Sequence, residues 1–296
     1  MNSATLQTIS DKPMLLGECP LWHPEESALY WIDISAHAVY RYDPTTHQQT
    51  HWTLPSEPGC IAWHRDGGLV VAMRSGVARF NTSTGQLQTL AAAPYDTNAL
   101  RFNDGRCDAA GRLWTGTLVD ARDKPSGRLY QFAHGDFSEF NHPVTVSNGI
   151  AFSPDSSTMY HADTAAHRIN AYDFDLATGT PSNGRLFKSF SSDKSAGYSG
   201  RPDGAAVDSE GAYWIAMYEG GQLLRIGPDG TLLQTISLPM MCPTMMAFGG
   251  DDLKTLFITS ASQKRTHEEL EQLPLSGYVV SIKLDVAGLF EHAFLG

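Results

Sequence analysis

The chain has 296 residues, 42% hydrophobic, 18% charged, with 27 glycines and a formal net charge of −11. This is the composition of a turn-rich globular protein able to bury roughly three quarters of its unfolded surface. The acidic balance and scattered Lys and Arg residues exclude nucleic acid and anionic membrane as partners, since both need concentrated positive charge.

From the N-terminus, residues 1–13 show neither a basic start nor an apolar run, and no stretch reaches bilayer-spanning length, so a cytoplasmic location is expected. The next stretch, ECPLWHPEES from Glu18, is apolar, leads into a turn and is followed by the β-rich ALYWIDI and AVYRYD. The same succession recurs at Gly59 (GCIAWHRDGG), Asn103 (NDGRCDAAGR), Asn148 (NGIAFSPDSS), Asp203 (DGAAVDSEGA) and Thr244 (TMMAFGGDDL). Fourth strands are expected at QLQTL and TLLQTI, while Pro228-Asp229-Gly230 reads as a turn between outer strands.

These heads recur every 41 to 55 residues with three or four strands each, and no segment carries a sustained helical stripe. The expected fold is all-β, a single six-bladed β-propeller domain over residues 1–296. Leu6 to Ile9 and Leu289 to Leu295 compete to complete the sixth blade, and the sequence does not decide between them.

In a propeller the innermost strands line a central channel, so the heads Glu18, Gly59, Asn103, Asn148, Asp203 and Thr244 converge at one end of it. Singly, Asn-Gly, Asp-Gly and Asn-Asp-Gly are turn signals. Four polar heads in one register instead point to a metal site at that end of the channel. Two carboxylates and two carboxamides suit one hard divalent cation, calcium before magnesium, manganese or zinc. Without it the carboxylates would repel in a partly desolvated channel.

Other features carry less. Cys19, Cys60, Cys107 and Cys242 lack metal or disulfide spacing and read as reduced, buried thiols. Met240, Met241, Met245 and Met246 read as packing of the sixth blade, and Trp22 and Trp63 as core. The histidines show no paired metal spacing. No GxSxG elbow exists, and neither Ser147 nor Ser199 has an assignable His and Asp partner.

The segments LGECPLWHPEESALYWIDI, RFNDGRCDAAGRLWTGTL, SNGIAFSPDSSTMYHADT, RPDGAAVDSEGAYWIA and FGGDDLKTLFITSAS together resemble the gluconolactonase and regucalcin family of sugar-lactone hydrolases. The resemblance implies a six-bladed propeller with one divalent metal held by Glu18, Asn148 and Asp203. It also implies Asp203 as general base and Arg101 with Asn103 as the substrate-contacting pair. Where the family places a glutamate, near Ala121, this chain offers Asp120, which is expected to touch sugar hydroxyls.

The expected activity is metal-dependent hydrolysis of an aldonolactone, with Gly59 leaving room for the ring. Leu118 to Gly127 and Ser189 to Pro202 are expected to overhang the site. A calcium-dependent esterase or phosphotriesterase on the same scaffold, or a non-catalytic calcium-binding propeller, are the alternatives.

Overall fold

A computed structural model describes residues 6–296; residues 1–5, where the segment read for a leader begins, lie outside the described residues. Six four-stranded antiparallel sheets follow one another along the chain. Their innermost strands are Gly17–His23, Pro58–Trp63, Leu100–Cys107, Ser147–Phe152, Arg201–Val207 and Pro243–Gly249. Each pairs with a second strand that is itself almost wholly buried, because both of its faces meet neighbouring blades.

The N-terminus completes the ring. Gln7–Thr8 is the outer strand of blade 6, pairing Gln7 with Ser281 and Thr8 with Val280. The C-terminal segment instead crosses the end of the channel opposite the heads. There Ser209 N donates to Ala287 O at 2.9 Å and Phe294 N to Trp63 O at 2.8 Å. Phe294 is buried and stacks on Phe132. Arg106 fills the channel above this segment, donating to Ile150 O, Ala205 O and the Glu291 carboxylate. The channel is therefore a funnel open at the head end and stopped below.

Both expected outer strands are present, at Leu87–Ala92 and Leu232–Ser237. Blades 1, 3 and 4 carry outer strands as well, at Gln49–Thr53, Asp136–Val144 and Thr180–Ser189. Those of blades 1 and 4 lie largely in solvent and so lack the apolar alternation by which a strand is read. The only described helix, His267–Gln272, buries no residue and is capped by Thr266.

A repeated aspartate anchors two blades where the first strand turns into the second. Asp208 is fully buried and accepts from Trp214 Nε1 at 2.9 Å, Arg225 Nε at 2.7 Å and two turn amides; Asp108 holds Trp114 and Arg112 in the same way. Asp208→Ala strands these donors, and we expect a loss of about 3–5 kcal/mol in denaturant unfolding. A loss under about 1 kcal/mol would show that the turn is held by its backbone alone.

Candidate functional site

Every innermost strand breaks its pairing register at its head. The shifts fall between Glu18 and Leu21, Pro58 and Cys60, Phe102 and Gly105, Asn148 and Ala151, Pro202 and Ala205, and Pro243 and Met245. A bulge inserts a residue without a partner and turns its side chain out of the pleat. Gly59, Asn103, Asp203 and Thr244 fall inside these breaks, and Glu18 and Asn148 are the last paired residues before theirs.

Four of the heads, Glu18, Asn103, Asn148 and Asp203, line one cavity of about 370 Å³ together with Arg101. All five side chains are buried. A chain of hydrogen bonds fixes the amides across three blades. Arg101 Nη1 donates to Asn103 Oδ1 at 2.7 Å, and Asn103 Nδ2 to Asn148 Oδ1 at 2.9 Å. Asn148 Nδ2 donates to Thr164 Oγ1 at 2.7 Å, whose hydroxyl donates to Pro202 O at 2.7 Å, beside Asp203. Thr164 thus settles the orientation of the Asn148 carboxamide.

The remaining two heads are structural. A Cβ on Gly59 would strike the Phe102 carbonyl and stand 2.8 Å from Asn103 N, so its missing side chain serves the close approach of blades 2 and 3 rather than room for a ligand. Thr244 is fully buried and donates to Gly17 O at 2.6 Å, closing blade 6 on blade 1.

Asp120 does not reach the cavity. Its carboxylate is held at 2.9 Å by Arg74, which also binds Glu57 at 2.9 Å and clamps blade 2 to the approach of blade 3. That loop presents Leu118 and Arg122 to the cavity instead, a cation where an acid is expected. The segment Ser189 to Pro202 contributes only Arg201.

Several lining residues carry no sequence signal. They come from connections between second and third strands: Thr164 and His167 of blade 4, Glu219 of blade 5, and Gln263, Lys264 and Arg265 of blade 6. Nothing in their local pattern distinguishes them from ordinary loop residues.

The electrostatics are those of charge confined out of water. Burial, then the charges of Asp203 and Asp104, push the Glu18 carboxyl well above the usual range. Burial and Asp104 do the same to Asp203, against the pull of Arg201, Arg122 and Arg101. Burial lowers Arg101 to about 10 despite Glu18. Asp104, one residue beyond a head, is buried below the cavity and accepts from Ile150 N at 3.0 Å. Its place in the channel was hidden in the Asn-Asp-Gly turn signal.

The donor set fits a hard divalent cation. Two carboxylates match its charge and Asn148 adds a neutral oxygen. Among the described residues no three His, Cys, Asp or Glu side chains gather as a metal set, so a cation there would need Asn148 and water to complete its ligands.

Ser147 does have a histidine partner, His161 Nε2 at 2.8 Å from its Oγ. Both are buried, no acid among the described residues completes a triad, and burial lowers His161 to about 3, so the pair is an internal hydrogen bond beneath the site. All four cysteines are buried and unpaired.

Fold and site together define a six-bladed propeller with a polar, carboxylate-bearing cavity at one mouth of a stopped channel. The chain belongs to the SMP-30/gluconolactonase/LRE-like family, whose pattern it matches over residues 16–262. It is 44% identical over 294 residues to 6-deoxy-6-sulfogluconolactonase of Pseudomonas putida, covering 99% of each chain. It is 32% identical to regucalcin of Xenopus laevis over the whole of both chains. The crystal structure of a calcium-binding protein, regucalcin, from Agrobacterium tumefaciens superposes with a TM-score of 0.93 at 28% identity, covering 98% of this chain and 97% of that one.

Proposed function

We propose that this protein hydrolyses a sugar lactone to the sugar acid, using one divalent cation held by Glu18, Asn148 and Asp203. The observation that carries the reading is the convergence of these side chains with Arg101 and Asn103 on one cavity, in a chain of this family. The name of the Pseudomonas relative supports the reaction class, and that of the Agrobacterium protein the choice of calcium. The all-oxygen donor set favours calcium or magnesium over zinc, which prefers His and Cys.

Such a cation supplies Lewis-acid polarisation of the ester carbonyl. Asp203 takes a proton from the attacking water, its carboxylate standing at the same cavity as Glu18, Arg101 and Asn103. Arg101, fixed by its bonds to Phe102 O at 2.9 Å and Asn103, presents its remaining donors to ring hydroxyls and holds the lactone for attack. The stopped channel excludes water from below.

The deciding experiment is acid release from a panel of lactones after chelation and re-addition of single metals. The panel includes gluconolactone and the 6-sulfonated form for which the Pseudomonas relative is named. Rapid release restored by one metal supports the reading; none with any metal removes it. Thr164→Val keeps the side-chain shape but releases Asn148, and the metal concentration for half-maximal activity should rise about 10- to 100-fold. An unchanged metal requirement would take Asn148 out of the ligand set.

A further inference from the structure

The cavity wall carries more positive charge than hydrolysis of a neutral lactone requires. Five cations line it, Arg101, Arg122, Arg201, Lys264 and Arg265, against three acids, Glu18, Asp203 and Glu219. Glu18 and Asp203 are the acids assigned to the metal, and Arg101 is tied to Asn103. What remains is four cations facing one carboxylate, on a protein whose net charge is −11.

That carboxylate organises the wall of blades 5 and 6. Glu219 Oε2 lies 3.2 Å from Arg201 Nη2 and accepts from Tyr198 Oη at 2.9 Å and Lys194 Nζ at 3.1 Å. Its Oε1 lies 3.6 Å from Arg265 Nη2. Burial raises the Glu219 carboxyl, but these donors outweigh it and hold it below the usual range. Arg201 is further steadied on the Tyr218 ring, 5.2 Å from its centroid, and Arg265 by Glu269 at 3.3 Å.

The two guanidiniums thus share the two oxygens of one carboxylate and both line the cavity. Their Nε atoms are closed to solvent, so the donors they can offer a ligand are on their Nη atoms. Arg122 and Lys264, both exposed, make no ion pair among the described residues. Planar guanidinium forks held next to each other are the geometry that binds a multi-oxygen anion.

We infer that Arg201, Lys264 and Arg265, with Arg122 from blade 3, form a subsite for an anionic oxygen group carried by the substrate away from its ester. This is a sulfonate or phosphate ester on the far carbon of the sugar. The inference rests on the lactonase reading for the sugar framework alone. The subsite recognises the charge, which a neutral aldonolactone lacks. Selectivity then follows from unpaired donors, since a ligand without the anion leaves these cations unmatched.

The test uses sugar acids, which bind without turnover. Calorimetry on the metal-loaded full chain compares gluconate, 6-phosphogluconate and 6-deoxy-6-sulfogluconate at low salt. Each 6-anionic acid should bind at least about 30-fold tighter than gluconate, the scale of one or two charge-assisted hydrogen bonds. The preference should fall below about 3-fold in Lys264→Ala/Arg265→Gln and shrink in Arg122→Gln. Because it is a ratio taken within one preparation, partial loss of folded protein cancels from it.

Whichever of the two anions binds tighter supports the subsite and names the group it prefers. Equal affinity for all three acids would overturn the inference, as would a preference that survives both variants, which would assign the anion to the metal. Failure of lactone turnover would remove the hydrolase reading and leave this ratio as it stands.

Discussion

Asp203→Asn is expected to lower kcat by about 10²- to 10⁴-fold at saturating metal, the range for loss of a general base. The asparagine keeps the shape of the head and an oxygen for the cation, so the metal requirement should rise while the fold is retained. Asp203 suits this role because it is 6% exposed and burial, not a proton-donating partner, dominates its chemistry. The control is the melting temperature of the chelated variant. With one buried carboxylate fewer, it should equal or exceed that of chelated wild type. If turnover with saturating metal stays within a few-fold of wild type, another group or bulk hydroxide takes the proton.

The second large effect is the competition between protons and cation. Glu18 and Asp203 both have folded values raised by burial and by neighbouring carboxylates. A raised carboxyl contributes stability that is full below its unfolded value, about pH 4, and lost as the pH rises through the folded value. Chelated protein should therefore lose stability as the pH is raised above the ordinary carboxylate range. A bound cation removes the loss by neutralising the ionised pair. Metal affinity should climb with pH by up to about tenfold per unit for each proton displaced, with proton release on binding at any pH where a carboxyl is still protonated. Titration calorimetry in buffers of different ionisation heat measures both. Affinity that stays flat as the pH is raised from the ordinary carboxylate range, with no proton release, would dismiss these two residues as the ligand pair.

Much of the site was legible because a propeller converts register into position. Glu18, Asn103, Asn148 and Asp203 stand at equivalent points of aligned repeats, and equivalent points of innermost strands must meet at the axis. Arg101, two residues ahead of Asn103, is not one of these heads and was read from the family resemblance instead. Asp120 shows where the reasoning fails. Its nearness in sequence to Leu118 and Arg122 says nothing of direction, and Arg74, 46 residues earlier in the chain, draws its carboxylate away from the cavity. Gly59 fails differently, because the neighbour that excludes a side chain there is the backbone of the next blade.

The cavity wall of blades 5 and 6 was out of reach for a third reason. Arg201, Glu219 and Arg265 belong to two blades and acquire a common role only when those blades stand side by side. Their ion pairs span 18 and 46 positions and follow no period.

By itself the sequence determined the all-β class, the number of blades and the ring of polar heads, since each is a periodic property and period survives in one dimension. The tertiary structure alone decided that the N-terminus closes the ring, that the C-terminal segment stops the channel, and which further cations face the cavity. Those outcomes depend on packing between segments far apart in the chain, where one arginine's choice of carboxylate is set by distance in space.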